Sequence, residues 1–342
     1  MIERYLDGIV VKSMGRSYIV LTILLFLLIV AAASSLRRCA VGERLAEPAS
    51  SPSPSPSETS PAAPTGPALA GLRSRAGQAS IKEISKPSPA IGIDGLVPRL
   101  SRPVALQAQG VRGLAVGDNA LYVSIFSPER SSALIYQLRR DTLTVAQVRD
   151  IAQDEYYVVG GLHLSHDTLW VPVIADDEHG SSLILALDTR SLEQRHRLSV
   201  DGRITLVLQG SAGSLYGFND EGSLIYEWAP DGQEIRRQPS TTGTLYSDGQ
   251  VVGENLICAG ADLNGGVIDI IDSASLSILA RHRCYALASD GTFLSQYGFD
   301  LELDQSASEV VFYFLVPGPR FPMLLSYVLD DIPFQEWAPR AR

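Results

Sequence analysis

Carboxylates recur between residues 99 and 342, in Pro128-Glu129-Arg130, Asp176-Asp177-Glu178-His179, Asn219-Asp220-Glu221 and Asp262-Leu263-Asn264. Oxygen ligands gathered from separate loops are what Ca2+ or another hard divalent cation takes, and Asp176, Asp177, Asp220 and Asp262 are the candidates. Asp, Asn and Gly also suit tight turns, so ordinary polar loops account for the same residues. Asp262-Leu263-Asn264-Gly265-Gly266 begins like a calcium loop but lacks the later acidic ligands, and a hairpin turn explains it better. Asp300, Glu302 and Asp304 alternate at period two and share one face of a strand, a pattern usual for a solvated face, with metal binding the lesser reading.

Catalytic signatures are sparse. Gly-x-Ser-x-Gly, His-Glu-x-x-His, the phosphate-binding loop and Gly-x-Gly-x-x-Gly do not occur. His163 and His166 are three apart across a strand and a turn, which points them in different directions. His196 and His282 sit among arginines and read as surface residues. Cys258 lies in an apolar stretch and reads as a buried thiol, although pairing with Cys284 in an oxidising compartment is the alternative.

The elements that must position these residues repeat. Leu121-Tyr122-Val123-Ser124, Leu169-Trp170-Val171-Pro172, Leu215-Tyr216-Gly217-Phe218 and Leu256-Ile257-Cys258-Ala259 are comparable apolar strands, spaced 48, 46 and 41 residues apart. Each is followed by a polar loop, a second apolar strand, a turn and a more polar strand. A longer fifth unit runs from Gly291. Four short strands per unit, turn dipeptides throughout and little helical periodicity predict an all-β propeller of five four-stranded blades over residues 99–342, six if the long unit splits. The stretch 103–109 is expected to supply a strand that closes the ring with the last blade.

In such a fold the acidic loops fall on one face, although they lie far apart in sequence. Inner strands begin beside the central channel, which makes Gln109, Tyr157, Tyr246, Asp248 and Gln250 candidates to bind a ligand at the channel mouth. Hydrogen bonding across a narrow channel, blade to blade, explains the same residues.

The rest of the chain reads differently. Residues 18–36 form an apolar run that, at about 19 residues, spans roughly 28 Å as a helix, matching a bilayer. It reads as an uncleaved signal anchor after a tail of residues 1–17, with a cleaved signal peptide as the alternative. Basic residues flank the run equally, and its position favours an extracytoplasmic propeller. Residues 37–98, rich in Pro, Ser and Ala, read as a disordered linker. Residues 99–342 carry 18 basic and 31 acidic side chains, a net of −13, which argues against nucleic acid as a partner.

Gln109-Gly110, Gly160-Gly161, Leu169-Trp170-Val171-Pro172-Val173 and Asp248-Gly249-Gln250 together resemble a group of bacterial propeller proteins classed as a domain of unknown function. The resemblance covers about residues 105–330 and implies the propeller fold without an activity. The group's pattern has a His-Pro before the Gly-Gly pair, where Val158-Val159 stands here.

These readings converge on a single-pass cell-membrane protein whose propeller binds a small molecule or a protein on its acidic face. The enzymatic alternative is a divalent-metal-dependent hydrolase resembling propeller lactonases. A quinone-dependent dehydrogenase ranks below both, because the repeats lack its tryptophan pattern.

Overall fold

The structure is a computed structural model that describes residues 97–106, 110–176, 180–304 and 309–329. The expected anchor at 18–36, almost all of the linker, Gln109 and Asp177 lie outside the described residues. No helix among the described residues is long and apolar enough to cross a membrane.

Five antiparallel sheets make five blades. Strand β1, Leu100–Pro103, is set aside by the chain for later use. Blade 1 runs from β2 (Val111–Val116) through β3 (Ala120–Ser127) and β4 (Ser132–Arg139) to β5 (Val145–Asp150). Blade 2 has a split inner strand, β6 (Tyr156–Val159) and β7 (His163–Ser165), followed by β8 (Thr168–Ala175), β9 (Ser181–Asp188) and β10 (Gln194–Asp201). Blade 3 is β11 (Ile204–Gln209), β12 (Leu215–Asn219), β13 (Leu224–Trp228) and β14 (Glu234–Pro239). Blade 4 is β15 (Leu245–Val252), β16 (Asn255–Asp262), β17 (Gly265–Asp272) and β18 (Ile278–Cys284). Blade 5 supplies only β19 (Gly298–Asp304), β20 (Glu309–Val316) and β21 (Met323–Leu329), and β1 completes it by pairing Leu100 with Ser326 and Pro103 with Met323.

The burial of each strand follows from its place in a blade. The middle strands are covered by neighbouring blades on both faces, so β8 and β9 read Thr-Leu-Trp-Val-Pro-Val-Ile-Ala and Ser-Ser-Leu-Ile-Leu-Ala-Leu-Asp with little alternation. Outer strands such as β5 are largely exposed and polar. The turns before the outer strands repeat a detail in blades 1, 2 and 4: Leu143, Leu192 and Leu276 have φ of 58°, 53° and 55°. Each donates its N–H four residues back, to Arg139, Asp188 and Asp272, and buries its side chain between sheets. Burial of a leucine, worth about 1.5–3 kcal/mol, outweighs the left-handed backbone, which costs about 1–2 kcal/mol.

Two expectations are revised. The closing strand is Leu100–Pro103, and of the expected stretch only Pro103 belongs to it; Val104 and Leu106 are buried crossing points instead. His282 is buried rather than on the surface. Cys258 and Cys284 are both buried and are not joined in a disulfide.

Candidate functional site

Inner strands β2, β6, β11 and β15 share a feature at their first turn. Each carries one extra residue against its partner strand: Arg112, Tyr157, Thr205 and Ser247. A bulge re-aims the side chain it inserts, and these four sit at the end of the channel where the inner strands begin.

Two of the four bind the next blade. Thr205 Oγ1 donates to a carbonyl oxygen, that of Tyr246 at 3.1 Å or Phe218 at 3.2 Å. Ser247 Oγ lies 2.8 Å from the Ser295 carbonyl. Ser124 Oγ donates to the Gly160 carbonyl at 2.7 Å, and Gly161 N–H to the Thr205 carbonyl at 2.8 Å. Val116 N–H donates to Asp300 at 2.6 Å, so adjacent blades are linked all the way round. The approach is close: a Cβ on Gly160 would lie 2.1 Å from the Thr205 carbonyl oxygen. A Cβ on Gly161 would lie 2.5 Å from that of Ser247.

Deeper on the axis, the Asp248 carboxylate of blade 4 accepts N–H bonds from Leu114 at 2.7 Å, Leu162 at 2.9 Å and Phe299 at 2.9 Å. It therefore joins blades 1, 2 and 5 to its own. Complete burial pushes its pKa up, and the three N–H donors pull it back only in part. Asp300 accepts from Val116, Leu301 and the Gln250 amide at 3.1 Å, and burial raises it to about 7 against the lowering by the Val116 and Leu301 N–H groups. At the opposite end of the axis, His163 is held neutral, its pKa lowered to about 4 by burial. Neither ring nitrogen meets strict hydrogen-bond geometry, although the Gln209 backbone and Gln250 side chain lie against it and favour the charged form.

The sequence candidates are therefore spread along the axis. Tyr157 is at the mouth, stacked on Phe126 at 6.2 Å with its hydroxyl donating to Asp176. Tyr246 lines the mouth, but its hydroxyl turns inward to Asp269 at 2.6 Å. Asp248 lies below the mouth as an inter-blade tie, and Gln250 reaches a cavity at the far end. The acidic loops are engaged by arginines: Asp220 with Arg203 at 2.5 Å, and Asp262 with Arg281 at 3.0 Å and Arg283 at 2.7 Å. Among the described residues no three His, Cys, Asp or Glu side chains are grouped to hold a metal ion. Asp300 and Glu302 do share one face, but that face packs on blade 1, where Glu302 binds Arg140 at 2.6 Å.

Sequence reasoning passed over Arg112 and Gln296. Both line a mouth cavity of about 310 Å³ with Arg203, Thr205 and Tyr246. Both are exposed, and among the described residues neither side chain makes a hydrogen bond or ion pair. Arg112 rests its guanidinium 5.9 Å from the Phe126 ring. The one available signal was Arg112 directly following Gly110-Val111 at the start of an inner strand.

No family model matches the chain, and no curated protein matches it. Solved structures do. A glutaminyl cyclase of Myxococcus xanthus is 14% identical with a TM-score of 0.50, covering 68% of this chain and 97% of the cyclase. A hypothetical protein from Leishmania major is 10% identical, with a TM-score of 0.46, over 72% of this chain and 95% of that one. A protein of unknown function from Bacteroides caccae is 13% identical, with a TM-score of 0.43, over 63% and 77%. At these identities the likeness is one of fold: the chain is a β-propeller.

Proposed function

We propose that the chain is a single-pass, membrane-tethered extracytoplasmic propeller that binds a small polar ligand at its channel mouth. One observation carries the binding reading. Most polar side chains at the mouth are spent on the fold, whereas Arg112 and Gln296 present unbonded donors and acceptors to the cavity. The tether rests on the apolar run at 18–36 and the proline-rich stretch after it. The Myxococcus cyclase shares the fold and brings no activity to this chain.

Full-length protein in detergent, screened by thermal shift against a panel of small polar metabolites, should give a ligand whose stabilisation disappears in Gln296→Ala. The melting temperature of the unliganded variant should stay unchanged. If no compound shifts the protein, or Gln296→Ala responds like the wild type, the mouth is not a binding site. Protease applied to intact cells should digest the propeller, and its protection would overturn the extracytoplasmic placement.

A further inference from the structure

A second cavity, of about 660 Å³, lies beside the mouth and is lined from blade 1 and from the β20–β21 loop of blade 5. Its charge runs against that of the domain. Arg112, Arg130 and Arg320 line it, with Glu129 as the one acid. All three arginines are exposed, and none has an ion-pair partner among the described residues. Elsewhere Arg139, Arg140, Arg195, Arg203, Arg236, Arg237, Arg281 and Arg283 are each matched by a carboxylate, while Arg102, Arg149, Arg190 and Arg197 also lack an ion pair among the described residues but are not gathered around one cavity. A domain with a net charge of −13 thus leaves three guanidiniums unmatched around one hollow.

The floor of that hollow is apolar. Ile125 is buried and Leu134 and the Tyr136 ring are half-buried on one face of the β3–β4 pair, whereas the Phe126 ring turns to the other face, where it stacks on Tyr157. Guanidinium groups recognise carboxylate, phosphate and sulfonate oxygens through paired N–H donors, and aromatic rings accept a flat apolar body. The volume suits a small organic molecule.

We infer that this cavity binds an organic polyanion with a flat, apolar part, its charged groups held by Arg112, Arg130 and Arg320 and its ring over Tyr136. The inference goes beyond the mouth reading, because Arg130 and Arg320 do not line the mouth and Gln296 does not line this cavity.

Pyrenetetrasulfonate, a fluorescent aromatic polyanion, is the probe, followed by anisotropy with the full chain in detergent. Arg130→Ala and Arg320→Ala should each weaken binding by about 10-fold, as expected for the loss of a charge-assisted contact. Arg190→Ala, an exposed arginine on the opposite face, and Gln296→Ala should stay within about twofold of wild type. Competition by pyrophosphate and by citrate separates phosphate from carboxylate preference. The inference is overturned if the probe does not bind, or if Arg130→Ala and Arg320→Ala behave like Arg190→Ala. A loss confined to Gln296→Ala would also overturn it, while leaving the mouth reading in place. Circular dichroism confirms that the exposed-arginine variants are folded.

Discussion

Asp300 and His163 are buried groups whose neutral forms the fold favours by the same physics and with opposite consequences for pH. Folding raises the Asp300 carboxyl from its ordinary 3.8 to about 7, so the folded chain retains a proton that the unfolded chain loses across that window. Its contribution to stability is therefore greatest at low pH and falls as pH rises towards 7. His163 goes the other way: its pKa falls from 6.5 to about 4, so the unfolded chain takes up the proton first on acidification. Its contribution is complete above 6.5 and is lost as pH falls to 4. Relative to wild type, Asp300→Asn should gain about 2–3 kcal/mol on going from about pH 5 to about pH 8. His163→Leu should shift in the opposite sense, faring relatively better at about pH 5. Urea unfolding at the two pH values checks both signs, and parallel behaviour of the two variants would refute the assignment. Little of this was legible beforehand. Asp300 read as a solvated strand acid, because period two shows which residues share a face and not what covers it.

At the scale of the strand, a single inserted residue explains why the site was misjudged. Up to Tyr246, alternation correctly marks sides of β15, but the extra Ser247 reverses parity, turning its own hydroxyl towards the mouth and Asp248 into the axis. An equivalent insertion leaves Arg112 of β2 unpaired with β3, and nothing in residue type announces it. What could be read were the middle strands, since an unbroken run such as Leu169–Val173 needs cover on both faces. Turns were legible in place but not in detail: a left-handed leucine is not a residue one would choose for that conformation. Leu192 is fully buried between sheets, and Leu192→Ala should cost about 2–5 kcal/mol in chemical denaturation. A loss below about 1 kcal/mol would mean that the leucine does not anchor the turn.

Across the whole molecule, stability depends on closing a ring, and the ring is closed at two depths. Inside, side chains tie each blade to the next, from Ser124 on blade 1 to Asp300 on blade 5. Outside, β1 covers the edge of β21. The closing strand was misplaced by a few residues because Val104-Ala105-Leu106 looks more strand-like than Leu100-Ser101-Arg102, yet an outer strand is the one that can be polar. Deleting residues 100–103 from the full chain should uncover the β21 edge, lowering the melting temperature and promoting association. Light scattering on heating, compared with wild type, reads both effects, and an unchanged profile would show that closure resides in the inner ties alone.

The pairing of Leu100 with Ser326 also orders events in time. A ribosome delivers β1 before any other strand of the propeller and its partner β21 after all the rest. The earliest segment of the domain must wait, unpaired, through the synthesis of five inner strands before it has anywhere to go. Closure between such distant segments is slow, because the chain entropy is lost before the contact repays it. The last step of folding is then the docking of the first strand made, and a chain stalled before Met323 keeps an open ring and an unclaimed strand.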